Sequence, residues 1–312
     1  MSQIYAYYPG CSQTGTSVEY DASTRACCRE LGVQLTDIPD WSCCGSTPAH
    51  CVDHALSAAL GARNLVQAAK TGAAGVTTPC PSCLTSLKTA AERLHDRTMR
   101  DKVNALLDEP CENALEARSV VQILVEDVGT EAIKAKVVRP LKGLKVVPYY
   151  GCLMVRPPEL MRFDDPENPT AMDDILKALG AEVVDFPFKT ECCGASHGVP
   201  HRDTVDRLTG RILGMARDLG ADIVAVACPL CQMNLDLRQG QIEKALNERF
   251  NLPVAYLTQL MGWAMGLPEA DLGLKKLIVD PRPVLDRIAD RLAAEAAPQA
   301  EPAPEGQAKG KE

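Results

Sequence analysis

Short apolar runs alternate along this chain with longer segments that carry apolar residues at helical spacing, and the alternation runs through twice. Residues 4–8, Ile-Tyr-Ala-Tyr-Tyr, and 145–150, Lys-Val-Val-Pro-Tyr-Tyr, have the composition of short buried strands, each leading to a cysteine. A helical segment follows each run, over 16–31 and 170–179. Short strands at 34–38 and 182–186 come next, and then a second helix in each half. Over 203–219 the helical period is plain, with Val205, Leu208, Ile212, Ala216 and Leu219 on one face. Strands at 75–78 and 222–227 run into a further helix. Strands alternating with helices predict a parallel sheet covered on both faces. The fold class expected is therefore α/β, with two pseudo-symmetric domains of short parallel sheets flanked by helices. The expected divisions are 1–140, including a largely helical linker over 97–143 with 119–128 its clearest part, then 141–294. The tail, 295–312, is rich in Ala, Pro, Glu and Gly, has no apolar period and is expected to be disordered.

The 312 residues are enough for two domains with real cores. Apolar residues make up 46% and charged residues 24%, as in soluble globular chains, and a 4% aromatic content makes the cores aliphatic. A net charge of −8 argues against nucleic-acid binding, which needs a basic face. No stretch reaches the roughly 18 apolar residues of a membrane helix, and the N-terminus does not read as a secretory signal. A cytoplasmic chain with reduced thiols is expected.

Ten of the fourteen cysteines form two copies of one pattern. The first is Cys11, Cys43-Cys44-Gly45 and Cys80-Pro81-Ser82-Cys83. The second is Cys152, Cys192-Cys193-Gly194 and Cys228-Pro229-Leu230-Cys231. The intervening lengths are 31 and 35 residues in the first half and 39 and 34 in the second. Thiolates in fixed sets bind soft metals or iron–sulfur clusters. Zinc or an ordinary cubane takes four ligands, so five thiols leave one reactive spare or serve a cluster of unusual shape. Proline suits the first helical position, which makes Cys80 and Cys228 expected caps and puts Cys83 and Cys231 in the first turn, where unpaired N–H groups favour thiolate. Cys11 and Cys152 fall just past strand ends, at the carboxyl edge where parallel sheets bind ligands. Adjacent side chains diverge, so Cys43-Cys44 and Cys192-Cys193 suit different irons of one cluster better than one ion, and Gly45 and Gly194 allow the tight backbone required.

The segments Tyr7-Tyr8-Pro9-Gly10-Cys11 and Asp40-Trp41-Ser42-Cys43-Cys44-Gly45 carry a family resemblance. Over about residues 3–265 the chain resembles the tandem cysteine-rich CCG family, as in the B subunit of heterodisulfide reductase, which includes B-like subunits of bacterial sulfur-oxidising complexes. The resemblance implies two non-cubane [4Fe-4S] clusters held by Cys11, Cys43, Cys44, Cys80, Cys83, Cys152, Cys192, Cys193, Cys228 and Cys231. It implies cleavage or formation of a disulfide between facing clusters, with a heterodisulfide or lipoyl-bound sulfur as substrate. It also implies as partners a ferredoxin-like iron–sulfur subunit of C type and a flavoprotein subunit of A type. Lactate and glycolate oxidase subunits and some succinate dehydrogenase or fumarate reductase subunits share the domain, so an electron-relay subunit is the alternative. Structural zinc, in one half or both, is the bland alternative for the cysteines.

Cys27, Cys28, Cys51 and Cys111 lie outside the pattern and read as small buried hydrophobes. His50, His54, His197 and His201 follow the two Cys-Cys-Gly turns. A surface or supporting role is expected for all four, and His197, three residues past Gly194, is the candidate among them for proton supply to a leaving thiolate. Trp41, Lys189 and Thr190 flank the turns and are expected either to line a pocket or simply to pack. Neither a nucleotide-binding glycine motif nor a ferredoxin-type cysteine run is present.

Overall fold

A computed structural model describes residues 4–46 and 49–296. Most of the expected tail lies outside the described residues, and its first two residues close the helix Arg282–Ala296. The first sheet contains β1 (Ile4–Tyr7), β2 (Gln34–Asp37), β3 (Gly75–Thr78) and β4 (Ala117–Ser119) in the order β2-β1-β3-β4. The second contains β5 (Lys145–Tyr149), β6 (Glu182–Val183), β7 (Ile223–Val226) and β8 (Val254–Tyr256) in the order β6-β5-β7-β8. Every pairing is parallel, so the two sheets repeat one topology. The chain leaves β1 toward one edge and β3 toward the other, which opens a crevice at their carboxyl ends.

The strands sit where their apolar runs place them, and β3 and β7 are buried throughout. The expected strand at 182–186 shrinks to Glu182–Val183, because Asp185 and Pro187 follow at once and proline cannot donate to a ladder. Two edge strands, β4 and β8, were not anticipated, since each pairs over only three residues. The linker is helical over Arg97–Asn104, Val120–Ile123 and Thr130–Ala135, but it also supplies β4 to the first sheet. In the helix Arg202–Asp218 the buried stripe includes Val205, Ile212 and Ala216, whereas Leu208 is half-buried and Leu219, just past the end, is exposed.

The halves share a core. Cys27 and Val120, Val121, Leu124 and Ile133 pack into the same apolar cluster as Leu257, Leu260, Met261 and Trp263. Across the seam the Tyr20 and Tyr256 rings stack 4.0 Å apart and nearly parallel, at 4°. Ser23 Oγ and Thr258 Oγ1 meet at 2.8 Å, and the Cys27 thiol donates to Thr258 O at 3.1 Å.

Candidate functional site

The carboxyl ends of β1 and β3 deliver Cys11 and Cys80 to one crevice, and β5 and β7 deliver Cys152 and Cys228 to the other. Cys80 and Cys228 are the N-caps of the helices Pro81–Arg93 and Pro229–Gln232, each with proline in the first turn, as the Cys-Pro-x-Cys spacing predicts. In the second half the helix widens into a π-type turn over Met233–Leu237. The structure brings all five thiols of each half together. In the first, Cys44 Sγ and Cys83 Sγ are 3.5 Å apart, Cys83 also bonds Cys80, and Cys11 bonds Cys43. In the second, Cys193 Sγ and Cys231 Sγ are 3.8 Å apart, Cys231 bonds Cys228, and Cys152 bonds Cys192.

The two sets share a division of labour. Cys44, Cys80 and Cys83 are buried, as are Cys193, Cys228 and Cys231, while Cys11, Cys43 and Cys192 are exposed and Cys152 is half-buried. Each set thus has a floor of three thiols and a rim of two. In each buried sulfur pair the bond between the sulfurs raises the helical thiol and lowers its neighbour. Cys83, bonded to Cys44, is pushed well up, and Cys44 is held down to about 6. Likewise Cys231 is pushed up and Cys193 held down to about 7. At the rim, Cys152 donates to Cys192 and holds it down to about 6, aided by the Gly194 N–H and the charge of His197. Among the described residues no three His, Cys, Asp or Glu side chains close around a single-ion position.

The backbone is fitted to the sulfurs. A Cβ on Gly10 would lie 2.8 Å from Cys83 Sγ, and one on Gly151 would lie 2.8 Å from Cys231 Sγ. Gly45 and Gly194 have φ of +70° and +88°, and their N–H groups point at Cys43 Sγ (3.5 Å) and Cys192 Sγ (3.3 Å). This is the tight turn expected after each adjacent pair.

Supporting side chains recur in matched places. Tyr8 and Tyr149 stand three residues before Cys11 and Cys152. Their phenols donate to the carbonyls that precede the cysteine pairs, Tyr8 to Ser42 O and Tyr149 to Glu191 O, both at 2.7 Å. Both phenols are pushed far up, by burial first and then by four cysteines of their own set. Asn234 Nδ2 donates to Cys193 O (3.2 Å), Ala195 O (3.0 Å) and, longer, Cys193 Sγ (3.5 Å). In the first half Ser86, three residues past Cys83, bonds Cys44. None of these was singled out from sequence, although aligning the two halves on their cysteines pairs Tyr8 with Tyr149. Tyr20 lies between the sets, since its phenol is raised by burial, by Tyr256 and by Cys228, Cys80 and Cys231.

The flanking residues are structural. Lys189 makes a buried ion pair with Asp173 at 2.7 Å, Thr190 accepts from Arg156 at 2.9 Å, and Trp41 meets Tyr8 edge-on. Cys27, Cys28 and Cys111 are buried as expected. Cys51 is not: it lies exposed on the short helix Ala49–Val52, its sulfur 3.4 Å from His50 Nε2, so the buried-hydrophobe reading is wrong for it. The His197 and His201 rings, 5.4 Å apart, are exposed, with the His197 charge acting on Cys192; His50 and His54 are exposed too, beside Cys51 and Arg93.

Gln13, two residues past Cys11, is 2% exposed, and neither atom of its amide has a protein partner. At each crevice five thiols, a close-fitted glycine and an inward N–H fit a bound iron–sulfur cluster, and the first crevice adds the orphaned amide of Gln13.

Known proteins give the family. The cysteine-rich CCG domain matches residues 5–88 and again 146–236. The chain is 36% identical to the 8-methylmenaquinol:fumarate reductase membrane anchor subunit of Wolinella succinogenes, across 90% of this chain and 98% of that one. It is 31% identical to the B subunit of the ferredoxin:CoB-CoM heterodisulfide reductase of Methanosarcina mazei, across 89% and 95%. It is 30% identical to the B subunit of the ferredoxin/F420H2-dependent CoB-CoM heterodisulfide reductase of Methanosarcina acetivorans, across 86% and 91%. A hypothetical protein from Helicobacter pylori shares the fold, with a TM-score of 0.70 at 14% identity; 89% of this chain spans about half (52%) of that one. No helix among the described residues is long and apolar enough to cross a membrane. Two copies of the matched domain and full-length likeness to the B subunits lead to one conclusion: the chain belongs to the B-subunit family of heterodisulfide reductases, oxidoreductase subunits built on tandem cysteine-rich CCG domains.

Proposed function

We propose that the chain is the catalytic iron–sulfur subunit of a heterodisulfide reductase-like complex, cleaving or forming a disulfide at the seam between its halves. Cys11, Cys43, Cys44, Cys80 and Cys83 would hold one non-cubane four-iron cluster, and Cys152, Cys192, Cys193, Cys228 and Cys231 the other. One observation carries the reading: both halves present the same five thiols, three on a buried floor and two at the rim. Reducing R–S–S–R′ to two thiols takes two electrons and two protons, and two bound one-electron centres would allow the electrons to arrive one at a time. The protein's own part is to fix the thiolates and manage protons. Tyr8 and Tyr149 lock the turns that carry the adjacent cysteines. His197, whose charge acts on Cys192 at the rim, would give a proton to a departing thiolate.

Electrons would come from a ferredoxin-type subunit and, behind it, a flavoprotein, since the chain itself has no nucleotide motif. The substrate class is a heterodisulfide or a lipoyl-bound sulfur. A second reading is a relay subunit of a fumarate-reducing complex, favoured by the 36% identity to the Wolinella succinogenes subunit.

Anaerobic purification should give about eight irons and eight sulfides per chain, with an EPR signal when the oxidised protein meets a thiol. Stoichiometric zinc with little iron would sink the cluster reading. Cys44→Ser should lose about half the iron and Cys28→Ser almost none. Viologen oxidation driven by a disulfide or lipoyl substrate supports the first function; oxidation driven by fumarate in the purified complex, with none by disulfides, selects the second.

A further inference from the structure

The two cysteine sets are built on one plan, and they part at the residue that follows each first rim cysteine by two. Two residues past the first rim cysteine stands Gln13; two residues past the second stands Met154. Both are buried, at 2% and 1% exposure. Met154 packs in the shared apolar core. Gln13 has no such fate, because its amide Nε2 and Oε1 are both buried and both unpartnered.

A buried amide left without a partner is destabilising, and such groups are uncommon unless something completes them. The direction of the amide indicates what does. Gln13 Oε1 and Cys83 Sγ both lie within 4 Å of the point that a Cβ on Gly10 would occupy, with Tyr8 on the same side. The amide therefore borders the space over the buried floor of the first set. The neighbouring groups do not compete for it: the Tyr8 phenol is spent on Ser42 O, and Thr14 Oγ1 donates to Cys11 O. Which end of an amide carries nitrogen is assigned from bonding, and with neither end bonded, both orientations are open. Either way an –NH2 group is available with no protein acceptor.

We propose that Gln13 donates a side-chain hydrogen bond to the sulfur-ligated cluster of the first set and thereby raises that site's reduction potential. The second site, where Met154 offers no donor, lacks this bond. The inference rests on the cluster reading above. A donor to sulfur draws off electron density and favours the more negative, reduced state, and hydrogen bonds to the sulfurs are among the factors that set the potentials of such clusters. Of the other donors, Gly45 is matched by Gly194 and Ser86 by Asn234, whereas the Ser46 hydroxyl on Cys44 has only Ala195 opposite it. Gln13 would thus add, with Ser46, to the inequality of the two sites, and inequality gives electrons a preferred order of arrival.

The test is an EPR-monitored anaerobic redox titration of the full chain and of two variants, with iron and sulfide counted in each. Gln13→Met copies the second half into the first with little change of volume. It should keep wild-type iron while one midpoint potential moves down and the other stays. Met154→Gln should move the other potential up, and it keeps the proposal testable if Gln13→Met binds less iron. Iron-replete variants with both potentials unmoved would overturn the role of Gln13 while leaving the clusters standing. A wild-type chain without iron would instead overturn the cluster reading, and this inference with it.

Discussion

Asp173→Asn should destabilise the second half and, through it, the second cysteine set. Lys189 and Asp173 are 6% and 8% exposed at their side chains and 2.7 Å apart. Lys189 Nζ has one further acceptor, Pro169 O at 3.0 Å, and the other carboxylate oxygen accepts from Tyr150 at 2.6 Å. The amide change removes the charge but keeps the shape, leaving a buried ammonium with only neutral acceptors. Breaking one side of a buried pair costs about 3–5 kcal/mol. With an unfolding entropy of about 2 cal/mol/K per residue, that is a drop of roughly 5–8 °C in melting temperature. Lys189→Met on the Asp173→Asn background removes the stranded charge and should recover most of the loss, giving a strongly non-additive cycle. The effect should reach the cysteines, because Lys189 O accepts from Tyr150 N (2.9 Å) and Gly151 N (3.0 Å), the residues that lead into Cys152. Calorimetry of the reduced chain reads the melting, and iron content reads the site, where up to half should be lost. If Asp173→Asn costs under about 1 kcal/mol, or the double variant loses as much as the single, the pair is hydrated and the argument fails.

Tyr8→Phe and Tyr149→Phe should each cost about 1 kcal/mol, the worth of one hydrogen bond, and each should alter the EPR line shape of its own half alone; a change in both halves would show that the phenols act through global stability. Glu19, buried at the seam beside Asp236 and Lys276, has its carboxyl held above the usual value of 4.5, chiefly by burial and, against the pull of Lys276, by the Asp236 charge. The fold therefore favours its neutral form, a stabilisation present below its unfolded value and lost as pH rises through the raised folded value. Glu19→Gln should melt higher than wild type at pH 8 and the same near pH 4, and equal melting at both would refute the linkage.

The strands, the helix over 203–219 and both cysteine sets were legible because they follow from local period and spacing. Cys80 and Cys228 were readable as caps because proline after them has one comfortable place. What escaped depends on partners distant in sequence. β4 and β8 are three residues each, too short for a period, and exist because β3 and β7 offer them an edge. Lys189 looked like a residue beside a crevice, and only the fold brings it to Asp173, sixteen positions earlier. Cys51 was misread because burial was inferred from residue type, whereas its short helix leaves it at the surface. Gln13 gave no signal at all, since an orphaned amide is defined by what surrounds it.

The shared core has a consequence for how such a chain can change over generations. A tandem repeat invites the picture of two beads that drift apart separately, each answerable only for its own cysteines. Here the helix Val18–Glu30 of the first repeat lays Cys27 against Thr258 of the second, and the segment after β4 fills the second repeat's interior. Neither repeat can be cut out, swapped with a homologue's or duplicated again without exposing the face it lends to the other. Substitutions along this seam, with no cysteine nearby, are therefore answerable to both repeats at once, and compensating changes should be sought across the seam as well as within each half.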